Sequence, residues 1–228
     1  MKKLLLGLIL LTGINLSADE YKKNQIACDS GDAKACNTLG SMYDEGYDYT
    51  IAKTYYKKAC DGGNADGCAN LGKRYEPKSG TKKQYTKSVK LYVKACDAGS
   101  AVGCAYLGSM YELANGLKKD YHRALELYVK ACNAGSAVGC AYLGGMYEHG
   151  KGIKEDHLKA EEFYTKGCYG GNGLACYNLG VMYYNRKSKY DEYSVVKSLF
   201  REACGLGEIL GCKNYRLLSK RYRIGEQP

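Results

Sequence analysis

The 228-residue sequence has no tryptophan, two phenylalanines, two prolines and three histidines. An aromatic core must therefore be built from its 24 tyrosines, whose hydroxyls then need a partner or water. Three histidines, His122, His149 and His157, are too few for a clustered metallohydrolase site, and no H-x-H-x-D pattern occurs. There is no G-x-S-x-G, no Walker loop and no dinucleotide loop. No apolar run reaches the ~20 residues of a spanning helix.

The apolar run that does occur, Leu4 to Leu11, follows Lys2 and Lys3 and precedes the small residues Ser17-Ala18. It reads as a signal peptide over residues 1–18, cut before Asp19, and so predicts a secreted or periplasmic protein. No Cys lies at the expected cut, so no lipid anchor is expected there. Loss of Lys2 and Lys3, with no acid, lowers the formal charge from +10 to +8. Half of that resides in residues 213–228, through Lys213, Arg216, Lys220, Arg221 and Arg223 against Glu226. This reads as a solvated end face, or as attraction for an acidic partner or anionic surface. Nucleic acid is not expected, since an exported chain with no recognition motif lacks the usual signature.

What the chain has in abundance is cysteine, twelve residues at a fixed period. Six C-x7-C pairs recur: Cys28 with Cys36, Cys60 with Cys68, Cys96 with Cys104, Cys132 with Cys140, Cys168 with Cys176, and Cys204 with Cys212. The pairs start 32 residues apart once and 36 apart thereafter, the mark of a repeat protein. Eight residues along one helix span ~12 Å, whereas a disulfide joins Cα atoms about 4.4–6.8 Å apart. The chain must then reverse within each pair, and Gly31, Gly63, Gly99, Gly135, Gly171 and Gly207 lie three residues after each first Cys to allow it. Six disulfides within pairs are expected, each tying one helix end to the next helix start. Zinc is disfavoured, because C-x7-C is not a zinc-knuckle spacing and export favours oxidation. No metal or other cofactor is expected.

The spacing predicts a first helix from Ala101 to Leu113, a break at Asn115-Gly116 and a second helix from Lys119 to Cys132. A Leu-Gly pair recurs at residues 39–40, 71–72, 107–108, 143–144 and 179–180, implying close helix contact there. Tyr43, Tyr75, Tyr111, Tyr147 and Tyr183 follow one turn later, and Tyr56, Tyr92, Tyr128, Tyr164 and Phe200 mark the second helices. These aromatics are expected in the core. Units start near residues 28, 60, 96, 132 and 168 within one solenoid over 19–228, with a basic capping unit at 204–228 that has Tyr215-Arg216 in place of Leu-Gly.

Leu107-Gly108-Ser109-Met110-Tyr111, Gly116-Leu117-Lys118 and Tyr128-Val129-Lys130-Ala131-Cys132-Asn133-Ala134-Gly135 resemble the Sel-one-like repeat, a relative of the tetratricopeptide repeat. With a cysteine pair per repeat and a signal peptide, the chain resembles the secreted Helicobacter cysteine-rich protein family over residues 28–212. That resemblance implies an all-α, right-handed solenoid of disulfide-stapled helix-turn-helix repeats. It also implies two functions, an extracellular interaction protein or a β-lactamase-like penicillin-binding protein. Tetratricopeptide-like units would expose Asn37, Asn70, Lys73, Tyr106, Ser109, Tyr142, Tyr177 and Asn178 in a groove. The partner expected is a protein or extended peptide, with a β-lactam or cell-wall peptide as the alternative, bound to a monomer.

The lactam alternative finds only scattered motif fragments. Ser79-Gly80-Thr81-Lys82 and Ser194-Val195-Val196-Lys197 match S-x-x-K, Tyr183-Tyr184-Asn185 matches Y-x-N, and Lys78-Ser79-Gly80 matches K-S-G. Ser79 would have to serve two motifs from different sides of one site, so no catalytic residue is assigned.

Overall fold

The computed structural model describes residues 18–76, 82–185 and 191–223. The signal peptide and the Ser79 motifs therefore lie outside the described residues, save for Ala18 and Lys82. Among the described residues the chain is all-α, as the sequence predicts. The helices are α1 (Ala18–Asp29), α2 (Ala33–Glu45), α3 (Tyr49–Asp61), α4 (Ala65–Tyr75), α5 (Lys82–Asp97), α6 (Ala101–Leu113), α7 (Tyr121–Asn133), α8 (Ala137–His149), α9 (His157–Tyr169), α10 (Gly173–Asn185), α11 (Asp191–Gly205) and α12 (Ile209–Arg223). None is long and apolar enough to cross a membrane.

The chain divides into two compact units. The first holds α1 to α5, α6 as far as Met110, and residues 114–118; the second holds Tyr111–Leu113 and everything from Lys119 onward. In the first, α2 packs on α3 and α4 on α5, with α3 against α4. In the second, α8 packs on α9 and α10 on α11, and α12 closes against α11.

One turn design joins the helices at every cysteine pair. After Cys96, Gly99 takes φ +90° and its N–H donates to the Cys96 carbonyl, while the Ser100 N–H reaches the Ala95 carbonyl. This double bond is the Schellman ending of a helix, with glycine in the left-handed conformation it tolerates. Ser100 then caps the next helix, its hydroxyl accepting from the Gly103 N–H at 3.0 Å. Asp32, Asn64, Ser136 and Asn172 repeat that capping.

Six bridges span these turns, and their pairing is the one the C-x7-C period predicts. Cys28 joins Cys36, Cys60 joins Cys68, and Cys96 joins Cys104. Cys132 joins Cys140, Cys168 joins Cys176, and Cys204 joins Cys212. The paired Cα atoms lie 4.4–4.7 Å apart. The second cysteine of the first five pairs enters the core from the first turn of the following helix, where Cys36, Cys68, Cys104, Cys140 and Cys176 are all buried. These cysteines are staples of the fold and present no sulfur to a ligand.

So close a crossing leaves no room for large neighbours. A Cβ on Gly103 would stand 2.5 Å from the Ala95 Cβ, and one on Gly139 2.5 Å from that of Ala131. The second small–large contact lies inside the hairpins. A Cβ on Gly72 or on Gly144 would meet the Tyr92 or Tyr164 ring at 2.7 Å, and Gly180 admits Phe200 in the same way. Tyr92, Tyr128 and Tyr164 are fully buried as a result.

One helix start differs from the sequence expectation. The second helix of the 96–131 unit starts at Tyr121 rather than Lys119, because the Asp120 side chain accepts from the Arg123 N–H at 3.0 Å and caps it. The preceding helix ends at Leu113 as expected, and the residue after it, Ala114, takes φ +59°.

Two outcomes test this account. On an exposed helix Gly→Ala gains up to about 1 kcal/mol; Gly144→Ala is instead expected to lose about 1–3 kcal/mol in a denaturant melt, from overpacking against Tyr164. A gain in stability would remove the close-contact argument. Each eight-residue closure contributes roughly 2–3 kcal/mol in the chain-entropy model, so excess reductant should lower the melting temperature by about 10 °C or more. A change of only a few degrees would show that packing alone holds the hairpins.

Candidate functional site

The first helix of each hairpin carries the residues the sequence singles out, and packing has already used some of them. In the first unit, Asn37 on α2 and Asn70 on α4 are both half-buried, and Asn70 Nδ2 donates to Asn37 Oδ1 at 3.0 Å. Tyr106 on α6 lies tilted against Tyr92 at 5.3 Å between ring centres, with the exposed Lys73 ammonium 5.7 Å from its ring. Ser109 is buried and donates to the Tyr106 carbonyl at 2.7 Å, so it presents no hydroxyl to a ligand. In the second unit, Tyr142 leans on Tyr128 at 5.1 Å and Tyr177 on Phe200 at 5.7 Å. Asn178 is half-buried and lies near the Tyr164 hydroxyl. Seven of the eight positions therefore reach the surface, fixed by packing on one side.

A set of carboxylates escaped the sequence reading. The Tyr92 hydroxyl donates to Glu76 at 2.5 Å, Tyr128 to Glu112 at 2.8 Å and Tyr164 to Glu148 at 2.6 Å. In the shortened first hairpin Tyr56 reaches Asp44 at 3.4 Å. Cations join two of these acids: Arg74 lies 3.1 Å from Asp44, and Lys151 lies 2.8 Å from Glu112. The available signal was an acid eight residues after the second Cys of the unit, at positions 44, 76, 112 and 148, following Cys36, Cys68, Cys104 and Cys140.

Burial dominates the titration of Tyr56, Tyr128 and Tyr164. It pushes Tyr56 up to about 12 and Tyr128 and Tyr164 higher still, with the neighbouring glutamates adding to the rise in the latter two. Burial likewise raises Tyr43, whose hydroxyl lies 2.7 Å from that of Tyr21.

The motif fragments gather no reactive centre. Ser194 is exposed on α11, and Lys197, one turn on, lies 5.9 Å from the Tyr215 ring. The Tyr183 hydroxyl donates to Glu161 at 2.6 Å. His149 and His157 are exposed beside Glu148 and Glu155, and His122 is exposed. Among the described residues no group of three His, Cys, Asp or Glu could hold a metal, and no cysteine is free.

The Sel1 repeat model matches residues 33–64, 65–100, 101–136, 137–172 and 173–192. The chain belongs to the Sel1 repeat family. These segments begin at the first helix of each hairpin, so the family's unit and the structural unit coincide. Among solved structures, the chain is similar to a Sel1 repeat protein from Oxalobacter formigenes, with 24% identity and a TM-score of 0.67 over 91% of this chain and 93% of that one. It is similar to a protective antigen present in uropathogenic Escherichia coli strains, with 28% identity and a TM-score of 0.61 over 90% of this chain and 44% of that one. Helicobacter pylori cysteine-rich protein B is 32% identical over 57% of this chain and 92% of that one, with a TM-score of 0.44. A comparison with curated proteins finds no match.

The buried phenols predict an alkaline limit. A raised folded-state pKa gives stability that is present below the unfolded value near 10 and is lost as pH rises through the folded value. In a titration followed by phenolate absorbance, exposed tyrosines should ionise reversibly near pH 10. The buried set should appear only in a cooperative unfolding step near or above pH 12. Smooth ionisation of all tyrosines near pH 10 with helicity retained would contradict this burial.

Proposed function

We propose that this Sel1 repeat protein is an exported scaffold that holds an extended peptide on the first helices of its hairpins. The observation that carries the reading is the row of half-buried amides and aromatics in each unit, anchored from behind. Asn70 spends one amide proton on Asn37, and a carboxamide keeps a second donor and further acceptor capacity for a peptide backbone. Tyr106 and Tyr142 occupy the same repeat position as Asn70 and Asn178, and their rings rest on other aromatics. Rings held in this way offer contact area with little further loss of entropy. Six disulfides and no free cysteine among the described residues suit an oxidising compartment, which supports secretion or a periplasmic location. The β-lactam reading rests on family resemblance alone. A lactam hydrolase needs a nucleophile beside a base, and exposed Ser194 on a repeat helix offers little support for one.

Peptides selected from a random display library against the oxidised protein test the proposal. Asn70→Ala in the first unit, or Asn178→Ala in the second, should weaken a peptide selected on that unit by ~0.5–1.5 kcal/mol, the contribution of one hydrogen bond. Ser194→Ala should leave any nitrocefin turnover unchanged. An unaltered peptide affinity, or turnover abolished by the serine change, would reverse the assignment.

A further inference from the structure

The outer face of α12 differs in kind from the matching face of the other first helices. The Leu-Gly glycines of α2, α4, α8 and α10 each receive the aromatic ring of the following helix, as Gly144 receives Tyr164 and Gly180 receives Phe200. One repeat later that position is Arg216. Lys213 stands where α10 has Tyr177, and Lys220 where α8 has Glu148 and α10 has Tyr184. All three cations are exposed, and so are Ile209 at 79% and Leu217 at 52%. With Cys212 they line an open groove of about 350 Å³ that contains no acidic residue. No other described helix covers it.

We propose that this groove docks an acidic amphipathic α-helix from a partner protein. The shape argument comes from the fold, because in α8 and α10 the same face is the seat of a helix. The chemistry comes from the substitutions. Arg216 fills the notch that would accept a ring, and it joins Lys213 and Lys220 at i, i+3 and i+7 along one face. Carboxylates at matching spacing on a partner helix complement them, while Ile209 and Leu217 receive its apolar stripe. A second copy of this chain fits poorly, because each copy carries a net charge of +10 in full.

The test uses the full oxidised chain and a fluorescein-labelled synthetic helix of roughly 18 residues, long enough to stay partly helical, with a leucine stripe flanked by glutamates. Anisotropy should show binding that weakens with salt. Arg216→Glu with Lys220→Glu should weaken it by roughly tenfold or more, while restoring affinity for a lysine-flanked version of the same helix. Both side chains are exposed, so circular dichroism should show an unchanged fold. Asn70→Ala with Asn178→Ala should leave this affinity intact, which separates the surface from the peptide-binding rows. Equal binding of the glutamate and lysine helices to the wild-type chain would overturn the proposal, as would a double variant that loses nothing. Sedimentation showing dimers that the double variant abolishes would assign the face to a second copy and overturn it. Binding to phosphatidylglycerol vesicles that the variant abolishes, without helix binding, would assign it to a membrane and do the same.

Discussion

Everything in the repeat follows from joining two helix ends at a Cα separation of 4.4–4.7 Å with only seven residues between the cysteines. The turn must close within that span, which selects a left-handed glycine and a polar residue that ends one helix and caps the next. The residues beside the cysteines are then forced to be small. In most units this is alanine before the first Cys and glycine before the second, as at Ala95 with Gly103 and Ala131 with Gly139. The unit bridged by Cys168 and Cys176 reverses the order to Gly167 and Ala175, and a Cβ on Gly167 would lie 2.8 Å from that of Ala175. Five crossings thus hold one methyl group, supplied by either helix, while the Cys28–Cys36 crossing, with the widest Cα separation at 4.7 Å, has alanine on both sides, Ala27 and Ala35.

The same economy of space explains the unusual aromatic composition. The Leu-Gly notch accepts a flat ring edge-on, and in four of five units that ring belongs to tyrosine. A buried phenol left without an acceptor would cost about 1–3 kcal/mol, and an acid one turn beyond the notch supplies the acceptor for Tyr56, Tyr92, Tyr128 and Tyr164. The exception supports the rule. Phe200 has no hydroxyl, and the position matching Glu148 in its hairpin is Tyr184 rather than an acid. Ring hydroxyl and carboxylate thus come and go together within one chain.

Much of this architecture is legible in the sequence because cysteine and glycine recur at fixed intervals and each has a narrow geometric use. The period, the reversal within each pair and the span of α6 from Ala101 to Leu113 all follow from it. The tyrosine–glutamate pairs were not legible, since sixteen residues and an inter-helix loop separate Tyr128 from Glu112 and no local rule links them. Ser109 failed as a surface residue for a related reason. It lies one turn from Tyr106 in sequence, yet helix packing turns it inward onto the Tyr106 carbonyl. By contrast Asn70, which shares the position of Tyr106 in the preceding unit, stays half-buried with its amide at the surface.

The division between fixed and free positions bears on how such a scaffold can acquire function. Cysteine, the small residues beside it, the notch glycine and the ring that fills it are each held by contacts under 3 Å if a single methyl is added, so variation there is resisted by sterics. The neighbouring position that reads Asn70, Tyr106, Tyr142 and Asn178 meets no such limit, and it changes from unit to unit while Leu-Gly does not. Stability therefore resides on other residues of the helix turn than the positions proposed above for recognition. A helix so divided can change what it binds without changing how it folds. Where the notch itself is given up, as at Arg216, the described helix presents exposed cations on a face that its counterparts keep for packing.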